Sequence, residues 1–173
     1  MTSETLPFKQ ASPLVNFAKI PVRHLRRARI KIANLSKKVR FSNSFFIGKN
    51  ADVYVPDFFE VCEHVSIAAN FLSQVNVVIG PHCLISTNVS FIGKDHDVLN
   101  AQSAFLSGRT SPSTIILEGN NFIGFGATIM GNVKIGKGAI VGAHSLVLSD
   151  VPEYQVVAGL PARLIKMRNM QSD

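Results

Sequence analysis

The chain has 173 residues and a formal charge of +7; 46% of its residues are hydrophobic, 17% are charged and none is Trp. These proportions exclude a disordered or collagen-like chain and fit one domain with an aliphatic core. No apolar run approaches the roughly 20 residues of a membrane-spanning helix, and the polar start is unlike a secretory signal. We therefore predict a cytoplasmic protein in which Cys62 and Cys83 are reduced thiols rather than a disulfide.

Residues 1–45 are predicted to form a lead-in that covers the front end of the fold. Within it we expect a short helix from about Leu14 to Ala33, interrupted near Pro21. Basic residues cluster from Lys19 to Arg40 with no acid between them. Such a segment is typical of a solvated lead-in, and peripheral contact with an anionic membrane is the alternative that stays open. No nucleic-acid partner is predicted.

An apolar residue recurs every six positions along most of the remaining chain. One register comprises Val61, Ile67, Ser73, Ile79, Ile85 and Phe91. A second register comprises Leu117, Ile123, Ile129, Ile135, Val141 and Val147. An earlier run, Ile47, Val53 and Phe59, is offset by two residues, which predicts an insertion or a bend near Pro56 to Val61.

A period of six residues fits neither an α-helix nor an alternating strand. It fits a triangular coil in which each unit supplies one short strand and one corner, with the aliphatic residue pointing inward. Adjacent coils pair as parallel strands, so each satisfies the backbone groups of the next. The sequence therefore predicts an all-β, parallel β-helix over residues 46–167. We expect the chain to turn away after Pro161 into a short C-terminal helix, followed by a tail at 168–173.

The period breaks between Phe91 and Leu117, which predicts a protruding loop at residues 92–116. An insertion in a solenoid projects from one face and often carries function. The loop contains Asp95-His96-Asp97. A histidine between carboxylates suits general-base catalysis, because an imidazole exchanges a proton near neutral pH. Residue type alone leaves a second interpretation open, an exposed loop histidine beside two solvated acids.

The segment from Ile116 to Arg168, with its Asp150-Val151-Pro152 turn and its 158–163 ending Ala-Gly-Leu-Pro-Ala-Arg, resembles the hexapeptide-repeat acyltransferases. Within them it is similar to the galactoside, maltose and xenobiotic acetyltransferase group. The resemblance extends from about Ile47 to Met167. It implies a left-handed parallel β-helix, acetyl-CoA as co-substrate, no metal, and a homotrimer with the active site between subunits. Asp97 stands where galactoside and maltose enzymes usually have proline, which looks more like enzymes that acetylate capsular or lipopolysaccharide sugars.

The same resemblance implies individual site residues. It identifies His96 as the general base and the backbone N–H of Phe125 as the oxyanion donor. The residues implied to bind CoA are Phe122, Gly124, Phe125, Ala143, Arg163 and Lys166, and those implied to contact the acceptor are Asn70, Asp95 and Asp97. Typical members carry Trp where this chain has Phe122, so a packing surface is kept here without the indole donor.

We therefore predict an acetyl-CoA-dependent O-acetyltransferase that acts directly on a sugar hydroxyl of a surface polysaccharide or its precursor. A sugar amine, serine or an antibiotic hydroxyl stay open as acceptors. Two other functions also stay open. One is a zinc carbonic anhydrase on the same fold, which would need about three converging ligands such as histidines. The other is a non-catalytic scaffold attached to a membrane through the basic segment.

Overall fold

A computed structural model describes residues 13–93, 96–97 and 103–168. One long helix, α1 (Pro13–Ala33), precedes a series of short strands. The strands are, in chain order, β1 (Lys38–Phe41), β2 (Phe46–Ile47), β3 (Asp52–Val53), β4 (Phe58–Val61), β5 (Ser66–Ile67), β6 (Leu72–Ser73), β7 (Asn76–Ile79), β8 (Leu84–Ile85), β9 (Ser90–Ile92), β10 (Thr114–Leu117), β11 (Phe122–Ile123), β12 (Thr128–Met130), β13 (Val133–Ile135), β14 (Ile140–Val141), β15 (Leu146–Val147), β16 (Gln155–Gly159) and β17 (Ala162–Met167).

The strands up to β15 form five stacked triangular coils, counted over the described residues. The first sheet has the order β1-β4-β7-β10-β13, the second β17-β16-β14-β11-β8-β5-β2, and the third β15-β12-β9-β6-β3. Every pair between successive coils is parallel. This arrangement confirms the predicted left-handed parallel β-helix.

The six-residue period arises because each unit buries two side chains. All members of both registers are buried, from Val61 to Phe91 and from Leu117 to Val147. For every member except Phe91, whose counterpart lies outside the described residues, the residue four positions later is buried as well, as Phe71 and Ala127 illustrate. Only aliphatic or small side chains stack repeatedly in so narrow a prism, which is why the core contains few rings.

The two-residue offset predicted near Pro56 is confirmed. Val39 pairs with Phe59, twenty residues later, whereas Phe59 pairs with Val77, eighteen residues later. The two extra residues lie in the corner at 54–57, between β3 and β4. The strands of coils one and two therefore stay in register, although the corner that joins the two coils is two residues longer than the equivalent corner after β6.

An excursion leaves the coils after β9 and returns at β10. Phe91 pairs with Ile129 across it, so the third sheet continues without interruption. The excursion occupies residues 93–113, of which 93, 96–97 and 103–113 are described, with a short 3₁₀ helix at Ala104–Leu106. The predicted loop bounds of 92–116 were therefore too wide, because burial of Ile115 in the core already draws 114–116 into β10.

The lead-in differs from the prediction in two respects. α1 runs without a break through Pro21, where an interruption was expected; a proline removes one hydrogen bond of a helix without having to end it. The β-helix also begins earlier than residue 46, because β1 already pairs with β4. Buried Asn34 fixes the end of the helix to coil one: its amide donates to Val53 O at 3.1 Å and its Oδ1 accepts from Val55 N–H at 3.1 Å.

The C-terminal helix predicted after Pro161 was wrong. β16 continues the second sheet in parallel with β14, and β17 folds back antiparallel to β16. Gly159 adopts φ +105° in the connecting turn, a conformation that glycine allows at little cost. The returning strand satisfies the backbone edge of β16, which a helix would leave unpaired. Among the described residues, no helix has the length and apolar character needed to cross a membrane.

Candidate active site

His96 lies on a two-stranded part of the excursion. It is bridged in antiparallel fashion to Arg109, and Asp97 N–H donates to Gly108 O at 3.1 Å. The imidazole Nδ1 of His96 lies 3.2 Å from Ser107 O and 3.2 Å from Ser107 Oγ. The Ser107 side chain is buried, and its hydroxyl donates to Ala104 O at 2.7 Å.

These contacts define the tautomer of His96. The Ser107 carbonyl can only accept a hydrogen bond, and the hydroxyl hydrogen of Ser107 is already given to Ala104. Nδ1 therefore carries the ring hydrogen and donates it to Ser107, which leaves the lone pair of Nε2 available. Because the His96 side chain is exposed, Nε2 can accept a proton from a ligand in the manner of a general base.

The second corner of the prism, where the chain passes from the second sheet to the third, carries the residues expected at the acyl donor. Its members are Lys49–Asn50, Ala69–Asn70, Thr87–Asn88, Phe125–Gly126 and Ala143–His144. Among the described residues, no acceptor pairs with the backbone N–H of Phe125 or of Ala143. The backbone N–H groups of Ala69 and Thr87 likewise have no acceptor among the described residues. A row of N–H groups available to a ligand is therefore a general property of this corner. The geometry permits an oxyanion role for Phe125 without singling it out.

Gly124 has a structural reason to be glycine. A Cβ atom there would lie 2.6 Å from Ala143 N and 2.8 Å from Val141 O, inside the next coil. Stacking of coils therefore excludes a side chain at Gly124, independently of any ligand. A role for Gly124 and Ala143 in binding CoA stays a prediction.

Two phenylalanines frame the second corner. Phe122 is 43% exposed on the outer face of β11, in register with Leu84 and Ile140. The ring of Phe125 is 42% exposed and packs edge-to-face on His144 with centroids 5.2 Å apart. Both rings are accessible to an apolar ligand arm, as a role beside CoA requires.

Asn70 belongs to a ladder of amides along the second corner. Asn50 donates to Asn70 Oδ1 at 3.2 Å, and Asn70 donates to Asn88 Oδ1 at 2.8 Å. All three residues have positive φ, which asparagine tolerates better than most residues. Asn70 is exposed and sits on the same edge as Phe125, two coils before it.

The remaining predicted residues are spread over the chain. Arg163 and Lys166 are exposed on β17, at the end of the coils opposite α1. Asp97 is exposed beside His96, and Asp95 lies outside the described residues. Asn70, Phe125 and Ala143 thus share one edge, whereas the excursion that carries His96 begins at the third corner, between the third and first sheets. No contact between these two groups occurs within the described part of one chain.

Sequence reasoning missed Ser107 and Arg109. Both lie in the predicted loop, yet nothing in the local sequence relates them to His96, eleven and thirteen residues earlier. Only the antiparallel pairing of the excursion with itself brings them together. To identify Ser107 and Arg109 from the sequence, one would have had to predict this antiparallel pairing within the loop.

The other described histidines and the buried thiol of Cys83 do not form a competing metal or nucleophile site. His64 and His82 stack on the first corner, between the first and second sheets, with centroids 5.0 Å apart, and His144 lies on the second corner. No group of three or more His, Cys, Asp or Glu side chains in the described part of the chain is arranged for a metal ion. Burial raises the pKa of the Cys83 thiol to about 11, which makes it a poor nucleophile at neutral pH.

Comparison with known proteins gives three kinds of similarity. Residues 114–149 match the family described as bacterial transferase hexapeptide (six repeats). The galactoside O-acetyltransferase of Escherichia coli K12 is 33% identical over 131 residues, which cover 71% of this chain and 64% of that protein. Serine acetyltransferase 2 of Arabidopsis thaliana is 43% identical over 95 residues, covering 55% of this chain and 28% of that protein.

Among solved structures, a hexapeptide-repeat acetyltransferase of Vibrio cholerae O1 biovar eltor complexed with acetyl coenzyme A has a similar fold. The TM-score is 0.59 at 24% identity, and the match covers 94% of this chain and 93% of that one. The chain spans less than two thirds of the length of the two curated relatives.

Proposed function

Because this chain belongs to the hexapeptide-repeat transferases, we propose that it is an acetyl-CoA-dependent O-acetyltransferase acting on a sugar hydroxyl of a surface polysaccharide or its precursor. The single observation that carries the proposal is the Nδ1 contact of His96 with Ser107, which leaves Nε2 as an exposed base. Acetyl transfer is the reaction named for both curated relatives, and the bacterial one is named for a galactoside acceptor.

The proposed reaction is a direct transfer. Nε2 of His96 takes the hydroxyl proton as the acceptor oxygen attacks the thioester carbonyl. The tetrahedral oxyanion accepts a hydrogen bond from the Phe125 N–H. When the C–S bond breaks, the imidazolium returns the proton to the departing thiolate. General-base catalysis contributes about 100- to 10,000-fold, and one oxyanion donor about 100- to 1,000-fold.

The second corner offers a fitting place for the CoA substrate. Phe122 presents an apolar ring to the pantetheine arm, and the outward N–H groups of Phe125 and Ala143 can donate to its polar groups. Arg163 and Lys166 on β17, at the end of the coils opposite α1, supply positive charge for the phosphates of CoA. These assignments rest on the exposure of the side chains and on the family resemblance.

A homotrimer completes the proposed site. His96 and the donors of the second corner lie on different edges of one prism, so a neighbouring copy is needed to bring one subunit's imidazole to another's thioester. An apolar row on the second sheet supports such self-association: Leu84 and Phe122 are exposed, and Ile140 in register with them is half-buried. Pockets of this kind form readily at interfaces between symmetric subunits.

The proposal extends to the basic segment from Lys19 to Arg40, for which we propose peripheral contact with an anionic membrane. The outward side of α1 exposes Leu25 and Ile32, at 70% and 65%, beside the cations Arg29 and Lys31. Apolar side chains flanked by lysine and arginine are typical of helices that lie on anionic lipid. Co-sedimentation with phosphatidylserine vesicles, and not with phosphatidylcholine vesicles, is the expected result.

The function is tested by incubating the purified chain with acetyl-CoA and a panel of sugars, nucleotide sugars, amino sugars and serine, with thiol release as the readout. We expect acceptor-dependent thiol release that is highest with a hydroxyl-bearing sugar. Calorimetry should show acetyl-CoA binding, which a non-catalytic scaffold has no reason to display. Preference for an amino sugar or for serine would show that the acceptor is not a sugar hydroxyl. Absence of both acetyl-CoA binding and turnover would refute the proposed enzymatic function.

A further inference from the structure

Arg109 lies directly opposite His96 on the excursion. The flanking hydrogen bond from Asp97 N–H to Gly108 O makes His96 and Arg109 a non-hydrogen-bonded antiparallel pair. In such pairs the Cα atoms are about 4.5 Å apart and the two side chains project from the same face. A ligand that reaches the imidazole of His96 therefore comes within reach of the guanidinium of Arg109.

The Arg109 side chain is available for a ligand. It is exposed, and no carboxylate among the described residues forms an ion pair with it. A guanidinium held next to the proposed base, without an ion pair to any carboxylate in the described part of the chain, is suited to bind an anion. Its planar fork matches carboxylate and phosphate oxygens in a bidentate arrangement.

A cavity beneath the excursion adds the surroundings expected for a sugar. Its walls include Arg109, Thr110, Tyr54 and Gln74. Tyr54 follows β3 and Gln74 follows β6, so they stand on the third corner of successive coils, and Tyr54 is 60% exposed. An aromatic face, an amide and a guanidinium together can pack against a sugar ring and bind its polar groups.

We infer that the acceptor is an acidic sugar whose carboxylate or phosphate group is bound by Arg109, with the reacting hydroxyl directed to Nε2 of His96. This inference rests on the proposed acetyltransferase function and adds the charge class of its acceptor. Arg109 contributes binding of the acceptor, while His96 contributes the proton transfer. Removing the guanidinium should therefore raise KM for acidic acceptors without a comparable change in kcat.

The experiment compares the wild-type chain with the Arg109→Gln, Arg109→Lys and Lys137→Gln variants. The acceptors are glucuronic acid and N-acetylneuraminic acid as carboxylates, glucose 6-phosphate and UDP-glucose as phosphates, and methyl galactoside as the neutral sugar. Lys137 is an exposed lysine on the corner between β13 and β14, outside the excursion, and controls for loss of one positive charge.

We expect the wild type to prefer one of the two acidic classes, and that preference identifies carboxylate or phosphate as the group recognised. Arg109→Gln should raise KM for that class about 10- to 100-fold, the range expected when a hydrogen-bonded charge loses its partner. KM for methyl galactoside should be unchanged, and kcat should stay within about threefold of wild type. The affinity for acetyl-CoA, measured by calorimetry, should also be unchanged. Arg109→Lys should recover part of the loss, and Lys137→Gln should behave as wild type.

Three results overturn the inference: no turnover of any acidic probe, an equal KM increase for neutral and acidic acceptors, or weaker acetyl-CoA binding by Arg109→Gln. If turnover is confined to neutral sugars, the acidic acceptor is wrong while the acetyltransferase stands. If the wild type neither binds acetyl-CoA nor releases thiol with any probe, the proposed function itself has failed.

Discussion

The stacked coils and the excursion at 93–113 are held by different kinds of contact. In the coils, each unit buries two side chains, and each strand of an inner coil is hydrogen-bonded to the coils before and after it. In the described part of the excursion, Phe105 and Leu106 are 92% and 79% exposed, and a few hydrogen bonds around Ser107 define the conformation. Substitutions in the coils should therefore affect stability, and substitutions in the excursion should affect chemistry.

The sharpest test of this division is His96→Ala. Loss of the general base should lower acetyl transfer by about 100- to 10,000-fold, equivalent to roughly 3 to 5.5 kcal/mol of activation free energy. The exposed imidazole contributes nothing to the core, so the thermal midpoint should stay within about 1 °C of wild type, a shift below 0.5 kcal/mol. Thiol release measures the activity, and calorimetric unfolding measures the thermal midpoint. A folded variant with unchanged turnover would exclude His96 as the base.

The complementary test lies in the third sheet. Ile129 is fully buried, and Ile129→Ala should lower the free energy of unfolding by about 2 to 5 kcal/mol, through lost burial and the cavity left behind. Leu106→Ala, the matched control on the excursion, removes an exposed side chain and should change stability by less than about 0.5 kcal/mol. Urea denaturation measures both variants. Equal losses would mean that the excursion is part of the core.

Ser107 tests how the excursion orients its histidine. Ser107→Ala keeps the carbonyl contact with Nδ1 and removes the hydroxyl, so kcat should fall by about 2- to 10-fold, the value of one hydrogen bond. Acetyl-CoA affinity should not change. Ser107→Thr keeps the hydroxyl and should restore most of kcat. If threonine fails to rescue while alanine lowers affinity, Ser107 has a structural role instead.

The smallest expected effect concerns a polar rung of the coils. Ser73 occupies a position that is otherwise aliphatic or aromatic, in register with Phe91, and no partner for its buried hydroxyl occurs among the described residues. Ser73→Ala should raise the free energy of unfolding by up to about 1 kcal/mol, because an unsatisfied buried hydroxyl is destabilising. Chemical denaturation measures the change. A destabilised variant would indicate that the hydroxyl is bonded after all.

The coils were predictable because their physics is local and repetitive. Every rung repeats one packing problem, so Ile67 or Ile123 shows its inward orientation by spacing alone, and the offset near Pro56 was visible as a change of phase. The ends were not predictable in the same way. Residues 155–167 fold as a hairpin because β16 joins an existing sheet edge, which is information about the neighbouring coil rather than about the segment itself.

The residues of the candidate site also differ in how far the sequence could predict them. His96 could be proposed because the break in the repeat marks the excursion, and because the family resemblance, rather than residue type alone, pointed to this histidine. Ser107 and Arg109 could not, because a hairpin inside an irregular segment has no period to reveal its pairing. The glycine requirement at Gly124 was anticipated for a ligand channel, whereas the structure gives stacking on Ala143 as sufficient cause.

The most direct measurement of the central claim is the tautomer of His96 in solution. Long-range ¹H–¹⁵N correlation spectra of labelled protein, recorded at a pH where the imidazole is neutral and assigned by comparison with His96→Asn, distinguish the two ring nitrogens. We predict that Nδ1 carries the hydrogen and Nε2 is bare, as donation to Ser107 requires. A His96 ring protonated at Nε2 would leave no lone pair facing the acceptor and would contradict its assignment as the base.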